Sequence, residues 1–212
     1  MTHLSFTEAD HARIAAAISA AEASTTGEIY AVFARTSDAY VFVPTTIALA
    51  LSLVAALLAA LFAPLAGFAI SGLALVTSQL AATLALLALF ALVPRLRMVF
   101  VPRAVAEDRA HRMALSQFFA HNIHTTVGRT GVLVFVSEAE RYAEIVADAE
   151  IAAKVPQEAW DAIVADLIVA ARDNRLAEGY VQAVTAAGAI LTAHFPGDHA
   201  NPNEIDDRLV EI

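Results

Sequence analysis

Residues 131–148 read GVLVFVSEAERYAEIVAD: an unbroken apolar run, a short charged break and a second run rich in β-formers. The run VLVFVS has no polar face, so it suits a buried central strand covered on both sides. Glu138, Ala139 and Glu140 turn the chain and RYAEIVAD returns, which predicts a hairpin. Upstream, GRTG ends a helix read over AVAEDRAHRMALSQFFAHNIHTT. Downstream, Pro156 opens a helix whose Trp160, Ile163, Val164, Leu167, Ile168 and Ala171 fall on one stripe. Tyr180, Val184, Ala187 and Leu191 repeat that spacing in a last helix, and HFPGDHANPNEIDDRLVEI reads as a polar, proline-containing tail.

The N-terminal end adds two elements. SFTEADHARIAAAISAAEAS carries a Ser5-x-x-Glu8 capping-box pattern and places Ile14, Ile18 and Ala21 at helical spacing, which predicts an amphipathic helix over about residues 6–23. Gly27 ends a turn and EIYAVFAR reads as a strand. A lone strand has unpaired edges, and about 40 residues seldom build a core alone. The N-terminal helix and strand are therefore expected to join the later elements in one α/β layer structure.

Between these parts, from Asp38 to Arg95, no Asp, Glu, Lys or Arg interrupts the chain. A helix of about 20 apolar residues crosses a bilayer, so the run is long enough to cross twice. TTIALALSLVAALLAALFA and LALVTSQLAATLALLALFALV are the two spans, and Pro64, Gly67 and Gly72 mark an uncharged connection. Arg35 precedes the hairpin, while Arg95, Arg97, Arg103, Arg109 and Arg112 follow it. Arginine bias of this kind places both termini on the cytoplasmic side of a multi-pass integral membrane protein. The acidic residues ahead of the run argue for a retained anchor rather than a cleaved signal peptide. Small residues recur at Ala55, Ala59 and Ala63 and at Ala74, Ser78 and Ala82, a spacing that lets helices approach closely. Gln79 is the only strongly polar side chain in either span, which does not suit an ion or proton pathway through the hairpin alone. The expected organisation is an N-terminal helix and strand in residues 1–40, a transmembrane hairpin in 41–94, and the remainder of the domain with its tail in 95–212.

Composition agrees with a part-membrane, part-globular chain, since 58% of residues are hydrophobic and 17% charged. The absence of cysteine excludes disulfides, thiolate metal sites and a cysteine nucleophile. A net charge of -9 argues against nucleic acid as a partner, because phosphate binding needs clustered cations.

The run AHRMALSQFFAHNIHTTVGRTGVLVFVSEAERYAEIVADAEI resembles the TPM domain family, found in thylakoid lumen proteins, a photosystem II repair factor and many bacterial membrane proteins. The similarity lies in an Ala-rich helix ending near Phe118 and Phe119, a Gly-containing turn, the strand GVLVFVS, Arg141 opening the next strand and Asp148 closing it. TTGEIYAVFAR resembles the family's first helix-to-strand passage, and HFPGDHANPNEIDD its closing segment in the membrane-anchored branch. The resemblance implies a three-layer α/β/α sandwich with a small mixed sheet, here interrupted by the hairpin, and a place in a bacterial inner membrane. It also implies two classes of activity. One is an accessory or ligand-binding module working with a membrane-protein partner or a second copy. The other is a phosphatase of small phosphomonoesters or phosphoproteins, with calcium or another divalent metal as cofactor.

The residues themselves offer few catalytic groups. Arg141 has a planar five-donor fork suited to an anion, or else an ion pair with Glu138 or Glu140 in its own turn. Asp148 stands at a strand end, where α/β sheets tend to hold ligands, or else caps the following turn. Calcium takes six to eight oxygen ligands, and Glu28, Asp148, Asn203, Glu204, Asp206 and Asp207 are the groups that could supply them if the tail folds back. His111, His121 and His124 do not share one helix face, and GRTG lacks the length and the Lys-Ser/Thr ending of a phosphate-binding loop.

Overall fold

The structure is a computed structural model that describes residues 4–197 and 203–212. The stretch 198–202 of the closing segment and the Arg95 side chain lie outside the described residues. Helix α1 spans Glu8–Glu22, strand β1 Glu28–Ala34, α2 Phe42–Phe62, α3 Gly72–Leu92, α4 Pro94–Val99 and α5 Arg103–Ala120. There follow β2 Gly131–Ser137, β3 Tyr142–Ala147, α6 Ala149–Ala152, α7 Gln157–Arg172, α8 Leu176–His194 and β4 Leu209–Glu211. The chain divides into two compact units, an α/β unit from the two ends of the chain and a helical unit over residues 38–105.

The α/β unit is built on a four-stranded mixed sheet in the order β3-β2-β1-β4. β1 runs parallel to β2 with Val32 opposite Phe135, and parallel to β4 with Val32 opposite Val210. β2 and β3 are antiparallel, with Val134 opposite Ile145. Every residue of β1 and β2 is buried, because helices lie on both faces of the sheet. Alternation sends Ile29, Ala31, Phe33, Val132, Val134 and Val136 into a core with α1, α7 and α8. Tyr30, Val32, Ala34, Leu133 and Phe135 face the other way, against Ala110, Ala114 and Phe118 of α5. The fully buried Tyr180 of α8 donates its hydroxyl to the carbonyl of Val32 at 2.7 Å, so its polar end is satisfied inside the core.

One sequence expectation needs correction. The cap of α1 is Thr7 with Asp10, which bond each other's backbone N–H groups, and not Ser5 with Glu8. The polar tail contributes to the sheet, since Leu209–Glu211 adds β4 to the free edge of β1. Three residues between Arg208 and Ile212 carry too little periodicity to announce a strand.

In the helical unit, α2 and α3 have 21 residues each. At 1.5 Å per residue each is about 31 Å long. A left-handed Gly67 (φ 81°) follows a 3-10 turn at Pro64–Ala66, and Ser71 caps the start of α3 by accepting from the Ala74 N–H at 3.2 Å. The hydroxyls of Thr45, Thr46 and Thr77 return to carbonyls in the preceding turn, and Thr83 donates across the pair to Ser52 at 2.8 Å. Arg97 turns back, donating Nε–H to the Phe90 carbonyl at 2.9 Å and reaching the Ala39 carbonyl at 3.4 Å. It thereby ties the last turn of α3 to the chain just before α2.

Two substitutions test the α/β unit. Val32→Asp buries a carboxylate in the middle of the sheet and is expected to cost several kcal/mol. Limited proteolysis of that variant should then cut within residues 131–194, and a fragment as resistant as in wild type would show that the later elements fold without β1. Gly131→Ala would bring a Cβ to 2.3 Å from the Ile123 carbonyl. It is expected to cost about 1–3 kcal/mol in chemical denaturation, as overpacking usually does.

Candidate functional site

The Gly131 end of the sheet brings several polar groups together. The first residue of β1, Glu28, pairs with Gly131, and its side chain is 1% exposed. Its Oε2 accepts from the N–H groups of Glu204 and Ile205 at 3.3 Å each. Burial raises the Glu28 pKa above the ordinary carboxylate range, and the neighbouring Glu204 and Asp207 charges add to the rise. Glu204 is held in turn by the Val127 N–H, 3.1 Å from Oε2, while Asn203 donates to Asp207 at 2.7 Å. The sequence candidates Glu28, Asn203 and Glu204 are thus neighbours, because the C-terminal segment crosses the start of β1.

Asp148 sits on the other side of Gly131, donating its backbone N–H to the Gly131 carbonyl at 2.9 Å. It is the N-cap of α6, with Oδ1 accepting from the Ala149 N–H at 2.6 Å and Oδ2 buried without a partner among the described residues. Arg141 lies at the far end of β3, roughly 20 Å away at about 3.4 Å per residue. It occupies a left-handed turn position (φ 52°) in the β2–β3 connection. One ligand cannot engage Arg141 and Asp148 together. The turn acidic groups also accept hydrogen bonds from neighbouring segments. Glu138 accepts from the Leu4 N–H at 3.0 Å, and Glu140 accepts from the Ser37 N–H at 2.9 Å and from the Ser137 hydroxyl. Among the described residues, no group of three or more His, Asp or Glu side chains is spaced to hold a metal ion.

The groups not singled out from sequence are Glu22, Tyr30 and Arg208. Tyr30 and Arg208 border a cleft of about 300 Å³ lined also by His121, Thr125, Glu204 and Asp206. The Tyr30 hydroxyl meets His121 Nδ1 at 3.1 Å, and His121 Nε2 meets Gln117 Oε1 at 3.2 Å. A neutral imidazole with its proton on Nε2 satisfies both contacts. Burial, followed by the Arg208 charge, holds the His121 pKa below its usual value. At the end of α1, the Glu22 pKa is pushed up to about 9 by burial first and by Glu28 and Asp207 after it. Neither Glu22 nor Tyr30 belongs to a recognisable motif. Only a tail laid across β1 makes their environment.

A cap and a ligand group respond differently to mutation at Asp148. Asp148→Ala should cost about 1 kcal/mol in thermal or chemical unfolding, as an N-cap loss does, whereas Asp148→Asn should retain most of that stability. At Arg141 the left-handed backbone penalises any side chain by about 1–2 kcal/mol. Arg141→Gly is therefore expected to be at least as stable as Arg141→Ala in the same assay.

Comparison with known proteins bears on the α/β unit. The model described as TPM domain matches residues 93–190, which include α5, the β2–β3 hairpin, α7 and most of α8. No curated protein matches the chain. Among solved structures, the NMR structure of the BA42 protein from the psychrophilic bacterium Bizionia argentinensis is similar with a TM-score of 0.59. The match covers 98% of this chain and 95% of that one at 16% identity, so it bears on the fold alone. Residues 93–190, a little under half of the chain, are thus similar to the TPM domain family.

Proposed function

We propose that this chain is a membrane-anchored TPM protein whose α/β unit serves a membrane complex as a ligand-binding or interaction module on the cytoplasmic side. The observation that carries the anchor is the outward-facing apolar surface of α2 and α3. Leu53, Leu57, Leu73 and Leu84 are 57%, 59%, 75% and 57% exposed. Two helices of this length and hydropathy, neither at the N-terminus and neither buried, match the roughly 30 Å hydrocarbon core of a bilayer. Their Thr and Ser hydroxyls are satisfied by backbone carbonyls or by each other, as hydrocarbon requires. Arg97 supports the cytoplasmic placement of both flanks, consistent with arginine bias after the second span.

The binding role rests on the cleft beside Tyr30, where side chains with unlike charge, Glu204, Asp206 and Arg208, border one opening. The phosphatase reading has less to stand on. Ser137, a hydroxyl set against the Glu140 carboxylate, is fully buried beneath the turn and closed to a substrate.

Membrane fractions washed at alkaline pH should retain the protein, and fusions at Ile212 should light a cytoplasmic reporter but not a periplasmic one. Release by the wash would remove the anchor, and an active periplasmic fusion would reverse the orientation. A chromogenic phosphate ester, offered with and without divalent metal, should show no turnover. Turnover that disappears in Arg208→Ala would instead favour the phosphatase.

A further inference from the structure

A chain of hydrogen bonds leaves Tyr30 an acceptor within its cleft. The Gln117 amide nitrogen lies 3.6 Å from Met113 Sδ, which turns Gln117 Oε1 toward His121 Nε2 at 3.2 Å. That oxygen can only accept, so Nε2 carries the ring proton and Nδ1 is left to accept. The Tyr30 hydroxyl, 3.1 Å from Nδ1, directs its proton there. Burial raises the Tyr30 pKa above the ordinary phenol value, so the proton is kept at neutral pH. Tyr30 is 2% exposed and lines the cleft, and what its oxygen still offers is lone pairs. Thr125 is in the same position: its hydroxyl donates to the Asn122 carbonyl at 2.7 Å, which leaves that oxygen acceptor capacity. Glu204 adds a carboxylate held by the Val127 N–H at 3.1 Å. Among the described residues that line the cleft, the cation is Arg208, loosely paired with Asp206 at 3.5 Å.

These charges divide the candidate ligands. A plain anion gains Arg208 but meets Glu204 and Asp206, and it makes no use of the Tyr30 and Thr125 oxygens. A plain cation satisfies those oxygens and Glu204 but is repelled by Arg208. An ammonium with three N–H donors, joined closely to a carboxylate that a guanidinium fork can grip, meets both demands. We propose that the Tyr30 cleft binds a free α-amino acid, its ammonium directed to the oxygens of Tyr30, Thr125 and Glu204 and its carboxylate to Arg208. The inference rests on the reading of the α/β unit as a ligand-binding module and names its ligand.

Size and preorganisation agree with this ligand. A volume of about 300 Å³ is at the lower end for small-molecule sites and suits a ligand of amino-acid size rather than a nucleotide. Glu204 and Arg208 belong to one short segment that is fixed on both sides of the cleft residues. The N–H groups of Glu204 and Ile205 donate to the buried Glu28 at 3.3 Å, and Leu209–Glu211 pairs with β1. Tyr30 and His121 are in ring contact, with centroids 4.6 Å apart. The groups that would meet the ligand are thus placed before it arrives, which lowers the ordering cost of binding.

The test is calorimetric titration of the detergent-solubilised full chain with each of the common L-amino acids in turn. At least one should bind. Its N-acetyl and carboxamide derivatives, which lack the ammonium and the carboxylate respectively, should bind at least about tenfold more weakly, as expected when a hydrogen-bonded charged group is removed. Tyr30→Phe keeps the ring in the core and removes the acceptor oxygen, and Arg208→Gln keeps a polar side chain and removes the charge. Each should weaken binding by at least about tenfold, while Arg175→Gln, at the start of α8, should leave it unchanged. Arg208 is exposed, so its variant keeps the test intact if Tyr30→Phe folds poorly. Calcium chloride and sodium phosphate are titrated alongside. Heat with either of them and with no amino acid overturns the ligand class and leaves a binding module, whereas silence in every arm overturns the ligand-binding reading as well. An amino acid whose N-acetyl derivative binds equally well, or whose binding survives in both Tyr30→Phe and Arg208→Gln, also overturns the proposal.

Discussion

The parallel pairing of β1 with β2 is the constraint on which the α/β unit depends. Val32 stands opposite Phe135, joining residues on either side of the helical segment in one ladder. Parallel strands need a long connection between them, and here that connection contains α2, α3, α4 and α5. Because both strands are buried on two faces, neither the N-terminal pair α1–β1 nor the segment 106–197 has a complete core alone. The β1 side chains alternate between the core of α1, α7 and α8 and that of α5, so one strand serves both layers.

That pairing also shapes the polar end of the sheet. Glu28 and Asp148 approach Gly131 from its two neighbouring strands, and Gly131 has no side chain because the Ile123 carbonyl fills that space. Glu28 is buried with two backbone donors, while Asp148 spends one oxygen on a cap. Residues that share a chemical type thus have separate roles. Glu22 and Glu28 hold backbone N–H groups, and the cleft beside Tyr30 is lined by His121 and Arg208. The opposite end is closed differently: Glu140 gathers Ser37 and Ser137, fixing the turn after β2 to the point where the chain leaves β1.

The extent of the fold legible in sequence varies with the range of the interaction. VLVFVS announced a strand covered on two sides because Val132 to Val136 are all apolar, and the Trp160–Ile163–Leu167 and Tyr180–Val184–Ala187–Leu191 stripes announced helices by their period. Local signals were weaker at boundaries. Ser5 and Thr7 both precede acidic residues at capping distance, and only the packing of Leu4 and Phe6 against the core selects Thr7 as the cap. Of the site residues, Glu28 was legible as a carboxylate beginning a strand, and Asp148 as one ending a strand. Arg141 shared their sequence neighbourhood but lies at the opposite end of β3.

By itself the sequence determined the charge-free double run, the burial of β2 on both faces, the helical stripes and the resemblance carried by residues 110–151, all set by composition and period along one stretch of chain. Only the tertiary structure decided that Leu209–Glu211 completes the sheet and that Glu28 meets the backbone of Glu204 and Ile205 at that edge. It also set Tyr30 against His121, whose numbers differ by 91. The physical reason is that periodicity reports which face of an element is apolar, whereas a carboxyl group's pKa and a strand's partner depend on groups brought close by folding, whose separation in sequence carries no signal.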